Sequence, residues 1–165
     1  MHSALLLALV AAGPQLGTPV DSATVASWDS SIPPSGKGLP SGQGSVAEGQ
    51  VVYTQKCVMC HGVNGAGKPA DPLTGGIGTL ASPKPVKTVA SYWPYATTLF
   101  DYIRRAMPIS QPRSLSNHEV YALVAYILSV NGIVQKGAVM DAETLPKVKM
   151  PNRDGFINAF GAARR

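Results

Sequence analysis

Cys57-Val58-Met59-Cys60-His61 is the stretch on which the reading of this chain turns. These are the two cysteines of a 165-residue sequence, and one of its three histidines follows them at once. C-x-x-C-H is the attachment pattern of a c-type haem. The spacing has a chemical reason: two thiols add to the two vinyl groups of one haem, and the backbone around them delivers the next residue beneath the iron. A structural zinc site takes four Cys/His ligands. His2 and His118 are the residues left to complete one, and His2 lies in a leader-like segment. A thioredoxin-like redox pair belongs in a βαβ context, and no strand pattern precedes Cys57. The motif therefore implies one covalent haem c, held by thioethers to Cys57 and Cys60, with His61 as the proximal ligand of the iron.

Composition narrows what surrounds the motif. Hydrophobic residues make up 45% of the chain, so it can fill a core, and charged residues only 14%, below the roughly 25% of an average soluble chain. Gly (17) and Pro (14) are abundant, which points to turns and loops rather than a large sheet or a long bundle. No apolar run approaches the ~20 residues of a transmembrane helix, so no membrane span is expected. The formal charge of +5 is modest. No basic run exceeds two residues and no aromatics interleave with it, which excludes a nucleic-acid footprint.

Working outward, Ala4 to Ala12 is an apolar run ending in small residues and resembles the core of a secretory signal. Residues 1–12 are thus read as a signal peptide, although Met1-His2-Ser3 lacks the usual Lys or Arg. Haem c attachment in bacteria takes place outside the cytoplasm, so the expected location is the periplasm. Residues 13–44 form a Pro/Gly/Ser-rich segment in which Thr24 to Trp28 fits one helical turn. The haem domain is expected at 45–132. Its first helix opens on a capping box, Ser45-x-x-Glu48, and runs to about Cys57, with Gly49 and Tyr53 on one face. The Gly- and Pro-rich residues 62–95 read as a loop that wraps the haem. Ala96 to Ala106 reads as a helix with Leu99, Phe100 and Ile103 inward. Arg104 and Arg105 suit its C-terminal dipole, and Pro108 stops it. A second capping box, Ser116-x-x-Glu119, opens a helix with the stripe Val120, Leu123, Val124, Ile127 and Leu128. Gly132 ends it after Asn131. Residues 133–165 read as an irregular C-terminal extension over the surface.

The order helix, C-x-x-C-H, Gly/Pro loop, helix, Met, terminal helix resembles a class I cytochrome c. The resemblance implies an all-α fold: a small helical domain wrapped around one covalent haem, with irregular N- and C-terminal extensions. In that family a Met in the loop before the last helix is the sixth ligand, and Met107, followed by Pro108, occupies that place. The acceptor for the second nitrogen of the proximal His is a Pro carbonyl in the following loop. In Asp71-Pro72-Leu73 this falls on Pro72, with Pro69 as the fallback. Gly49 and Tyr53 with Leu123 and Tyr126 match the family's crossing of first and last helices. Trp93, Tyr95, Arg104 and Arg105 are further candidates for the haem edge or a propionate. A His/Met pair raises the reduction potential relative to two imidazoles and leaves no open position on the iron.

The stretch Ser91-Tyr92-Trp93-Pro94-Tyr95 through Asp101-Tyr102-Ile103-Arg104-Arg105-Ala106-Met107-Pro108 is more specific. So are Gly36-Lys37-Gly38-Leu39-Pro40, Lys84-Pro85-Val86-Lys87, Asn131-Gly132-Ile133 and Leu145 to Phe156. Together they resemble the cytochrome c subunit of the periplasmic sulfane dehydrogenase of sulfur-oxidising (Sox) systems, and related sulfite dehydrogenase cytochromes. The resemblance implies a partner, a molybdenum-cofactor dehydrogenase subunit that oxidises sulfane sulfur or sulfite. It also implies an acceptor cytochrome c. By itself the chain is then an electron-transfer protein and not an enzyme. Some members of that family carry two haem domains, whereas this sequence holds one haem motif. The competing readings are a free diffusible periplasmic carrier and, from another class, a haem sensor or peroxidase-like enzyme in which Met107 leaves the iron.

Overall fold

Ser45 and Ser116 begin the two helices that carry the architecture. The structure is a computed structural model that describes residues 16–157; the leader-like run Ala4 to Ala12 and His2 lie outside them. In chain order the elements are α1 (Ser22–Trp28), β1 (Gln43–Ser45), α2 (Val46–Lys56), α3 (Val58–His61), α4 (Val89–Tyr92), α5 (Ala96–Ala106), α6 (Asn117–Val130) and β2 (Val139–Asp141). Short 3-10 turns lie at Val63–Gly65 and Leu145–Lys147. The described residues fall into two units that divide after Ser30. In the first, α1 is capped by the Asp21 carboxylate, which accepts from Thr24 N at 2.9 Å. The second unit, residues 31–157, holds the remaining elements.

Both capping boxes form. Ser45 Oγ accepts from Glu48 N and Glu48 Oε2 accepts from Ser45 N, at 3.2 and 2.7 Å; Ser116 and Glu119 repeat the exchange. Each box satisfies two of the backbone donors that a helix start leaves unpaired. At the other end of α6, Gly132 has φ +70°. Its N–H reaches the Ser129 carbonyl, and Ile133 N–H reaches the Leu128 carbonyl. That pair of bonds is the Schellman arrangement, which needs a residue at ease in the left-handed region.

Helices α2 and α6 cross at Gly49. A Cβ on Gly49 would stand 1.9 Å from the Ala122 carbonyl oxygen and 2.7 Å from Tyr126 Cβ. Only hydrogen in place of a side chain lets the two backbones approach this closely. Tyr53 and Tyr126 stack beside the contact, ring centroids 5.0 Å apart. Helix α6 is buried continuously from Val120 to Leu128, and α5 packs on it through Leu99, Phe100 and Ile103.

Three segments depart from the sequence reading. Residues 62–95 contain α4, which Thr88 and Ser91 close with a capping box of their own. A Ser at the fourth place is not the usual Glu or Gln, so the pattern is faint in sequence. Residues 31–44 form little regular structure yet are pinned to the helices. Asp101 Oδ1 accepts from Ile32 N, Tyr121 OH donates to the Pro40 carbonyl, and His118 Nδ1 donates to the Gln43 carbonyl at 2.8 Å. Finally, the C-terminal extension is not a surface wrap alone. Strand β2 pairs antiparallel with β1 in the register Gln43↔Asp141, Gly44↔Met140, Ser45↔Val139, and Met140, Leu145 and Met150 are buried in the core. Two strands of three residues leave the molecule helical in class.

Candidate haem site

Cys57 ends α2 and starts α3, so the attachment motif is one helical turn set at an angle to the helix before it. The Cys57 carbonyl accepts from Cys60 N at 3.1 Å and from His61 N at 2.9 Å. Positions three and four apart share one face of a helical turn, which puts both thiols and the imidazole on the same side. Met59 points elsewhere and is 87% exposed. Cys57 is half-buried and Cys60 exposed.

The segment after the motif turns back under His61. Gly67 N bonds the His61 carbonyl at 2.7 Å, and Ala70 N bonds the Cys60 carbonyl at 2.9 Å. With residue 70 tied beside residue 60, the next carbonyl along the chain comes level with the imidazole. It belongs to Asp71: His61 Nδ1–H donates to Asp71 O at 3.2 Å. The expected acceptor, Pro72, is therefore one residue too late, because the tie at Ala70 sets which carbonyl passes the ring. The Asp71 oxygen belongs to the peptide whose nitrogen is Pro72's. With Nδ1 engaged, Nε2 keeps its lone pair and its direction is set.

The other candidate ligands separate by position. His118 lies in the first turn of α6, its Nδ1 on the Gln43 carbonyl. Met140 and Met150 are 5% and 1% exposed inside the core. Met107 is the C-cap of α5, half-buried, and borders the same core as Cys57, Val58, Leu73 and Trp93. Among the described residues no three His, Cys, Asp or Glu side chains are placed to hold one metal ion. Two thiols and a singly committed imidazole on one turn do fit a covalent haem.

Of four residues considered for the haem edge, three have other partners. Arg105 grips the Asp101 carboxylate, Nε to Oδ1 at 3.0 Å, the same carboxylate that holds Ile32. Trp93 packs edge-on against Tyr102, centroids 5.5 Å apart. Arg153 lies over the Tyr95 ring at 4.6 Å. Arg104 is half-buried in the last turn of α5. Sequence reasoning missed Asn64 and the second role of Asn131, both of which brace the segment below the imidazole. The signal available was an Asn beside Gly, in Asn64-Gly65 and Asn131-Gly132, a pair that favours tight turns.

A family model described as Cytochrome c matches residues 46–131, which take in α2, the motif turn and α6. No curated protein sequence matches the chain. Among solved structures the chain is similar to the sulfane dehydrogenase SoxCD from Paracoccus pantotrophus. The two are 38% identical, the match covers 87% of this chain and 71% of that one, and the TM-score is 0.79. Among the described residues no helix is long and apolar enough to cross a membrane. The chain belongs to the cytochrome c family, with the class I fold that holds a covalent haem c for electron transfer.

Proposed function

We propose that the chain is the monohaem cytochrome subunit of a periplasmic, molybdenum-dependent dehydrogenase acting on sulfane sulfur or sulfite. On this reading it hands electrons on to a further cytochrome c. The observation that carries the reading is the 38% identity to the sulfane dehydrogenase SoxCD over 87% of the chain. Haem, when bound, supplies a one-electron couple. Cys57 and Cys60 hold it, His61 is the proximal ligand with its ring fixed by the Asp71 carbonyl, and Met107 is the distal ligand. What supports that last role is that Met59 lies exposed within the motif turn while Met140 and Met150 are buried in the core. A thioether opposite an imidazole favours ferrous iron and raises the potential, which suits an acceptor of electrons.

The test is a gentle pull-down of the tagged protein from its native periplasm, with molybdenum and haem measured in the eluate. One haem per chain with molybdenum in proportion supports the subunit. Haem on a monomer without molybdenum sinks the partner and leaves a free carrier. Carbon monoxide binding to the reduced protein sinks Met107 as the distal ligand and favours a sensor or peroxidase-like role.

A further inference from the structure

We infer that the hydroxyls of Tyr53 and Tyr126 are positioning groups for His61. They anchor, from the two crossing helices, the segment whose Asp71 carbonyl takes the imidazole Nδ1–H. The inference rests on the haem reading above and deepens it. Tyr53 OH donates to the Gly62 carbonyl at 2.8 Å, one residue past His61. Tyr126 OH donates to Asn64 Oδ1 at 3.0 Å. Asn64 holds φ +54°, a left-handed conformation that Asn adopts more readily than most residues.

From there backbone bonds lead to Leu73 and Thr74, just past the acceptor Asp71. The Gly65 carbonyl takes Leu73 N at 2.8 Å and Thr74 N at 3.2 Å. Asn131, at the end of α6, closes the far side: its Nδ2 donates to the Leu73 carbonyl, and its Oδ1 accepts from Gly75 N. Asp71 is thus suspended between Ala70, tied to Cys60, and Leu73, tied to Gly65 and Asn131. Packing alone does not ask for these hydroxyls, since a phenyl ring fills the same crossing. Burial raises both phenols, Tyr53 to about 12, so both remain donors across the neutral range.

A bond from Nδ1–H to a carbonyl makes the imidazole a stronger base and so favours ferric iron. A slack segment lengthens that bond and shifts the balance toward ferrous. Tyr53→Phe and Tyr126→Phe keep the rings. Each is expected to raise the ferrous-to-ferric ratio at fixed poise about threefold, and the pair about tenfold, which is ~59 mV for one electron. Asn64→Gly keeps the backbone at ease and removes the acceptor. It should match Tyr126→Phe, and the Tyr126→Phe/Asn64→Gly double variant should shift no further than either alone. The experiment is spectroelectrochemistry of the holoprotein, with a thermal melt and a pyridine haemochrome assay on every variant. Unchanged ratios with lowered melting overturn the inference, leaving the hydroxyls as stabilising bonds only. Additive shifts in the double variant overturn the coupling through Asn64. A wild-type protein without covalent haem fails the haemochrome assay first, and overturns the haem reading together with this one.

Discussion

Ala122 is pressed from two sides by glycine. From α2 comes Gly49, and from β1 comes Gly44, whose added Cβ would stand 2.2 Å from Ala122 N. The two contacts look alike and belong to different kinds of structure. The Gly49 contact joins two helices that each start at their own capping box. The Gly44 contact exists because β1 is held by β2, which returns from the C-terminal extension. The first region is assembled from pieces with local instructions. The second is a clasp whose halves have no meaning apart, and it seats Met140, Leu145 and Met150 behind α5 and α6. The helix crossing also carries Tyr53 and Tyr126, the links to the haem-binding turn. Beyond Gly44, the clasp touches the segment before α5 through Asn152 Nδ2 on the Tyr92 carbonyl and Arg153 on Tyr95. Damage to the crossing should therefore reach the haem, and damage to the clasp should stay in stability.

Gly49→Val is the hardest test. The new side chain meets backbone rather than a movable side chain, so the helices must part. We expect a loss of about 3–5 kcal/mol by chemical denaturation, beyond ordinary overpacking, together with poor covalent haem yield. Gly44→Ala should cost about 1–3 kcal/mol, because an edge strand can slide where a helix pair cannot. Equal losses at the two glycines would erase the distinction drawn between the regions.

Leu145→Ala removes a fully buried side chain from the clasp. A loss of about 2–4 kcal/mol is expected, with haem yield and reduction potential as in the wild type. A shifted potential would show that the clasp shapes the site after all.

Ser116→Ala removes the cap of α6 and should lower stability by about 1 kcal/mol. Smallest is Lys56→Gln. Lys56 Nζ meets Glu119 at 2.6 Å across the crossing, with side chains 36% and 28% exposed, and a pair so open to solvent contributes no more than ~0.5 kcal/mol. The effect should vanish in high salt.

Acid adds a sign. The Lys56 ammonium and the Ser116 cap hold the Glu119 carboxyl below its ordinary 4.5, and Thr144 N–H and hydroxyl hold Asp141 below 3.8. Carboxyls depressed in the folded state contribute stability that is complete above those ordinary values. It is lost as pH falls below them through the lower folded values. A melting-temperature profile against pH should fall in that window, and Lys56→Gln should flatten part of it.

Much of this molecule was legible because its rules are local. Cys57, Cys60 and His61 stand out by spacing, the order within one turn that the proposed thioether attachment and axial imidazole would use. The two capping boxes and Gly132 mark helix ends because unpaired backbone donors and acceptors must be met within a few residues. Gly49 and Tyr53 were readable as a helix crossing from their four-residue interval. What only the tertiary structure decided depends on chain segments far apart in sequence. The pairing of β2 with β1 is one case, and the commitment of Arg105 to Asp101 and Ile32 is another. The carbonyl under His61 is the finest of them. Asp71 rather than Pro72 takes the Nδ1–H because Ala70 is tied to Cys60, and a displacement of one residue leaves no trace in residue types. Local sequence specifies which groups must find partners; which distant group arrives is a question of chain path, and only the packed fold answers it.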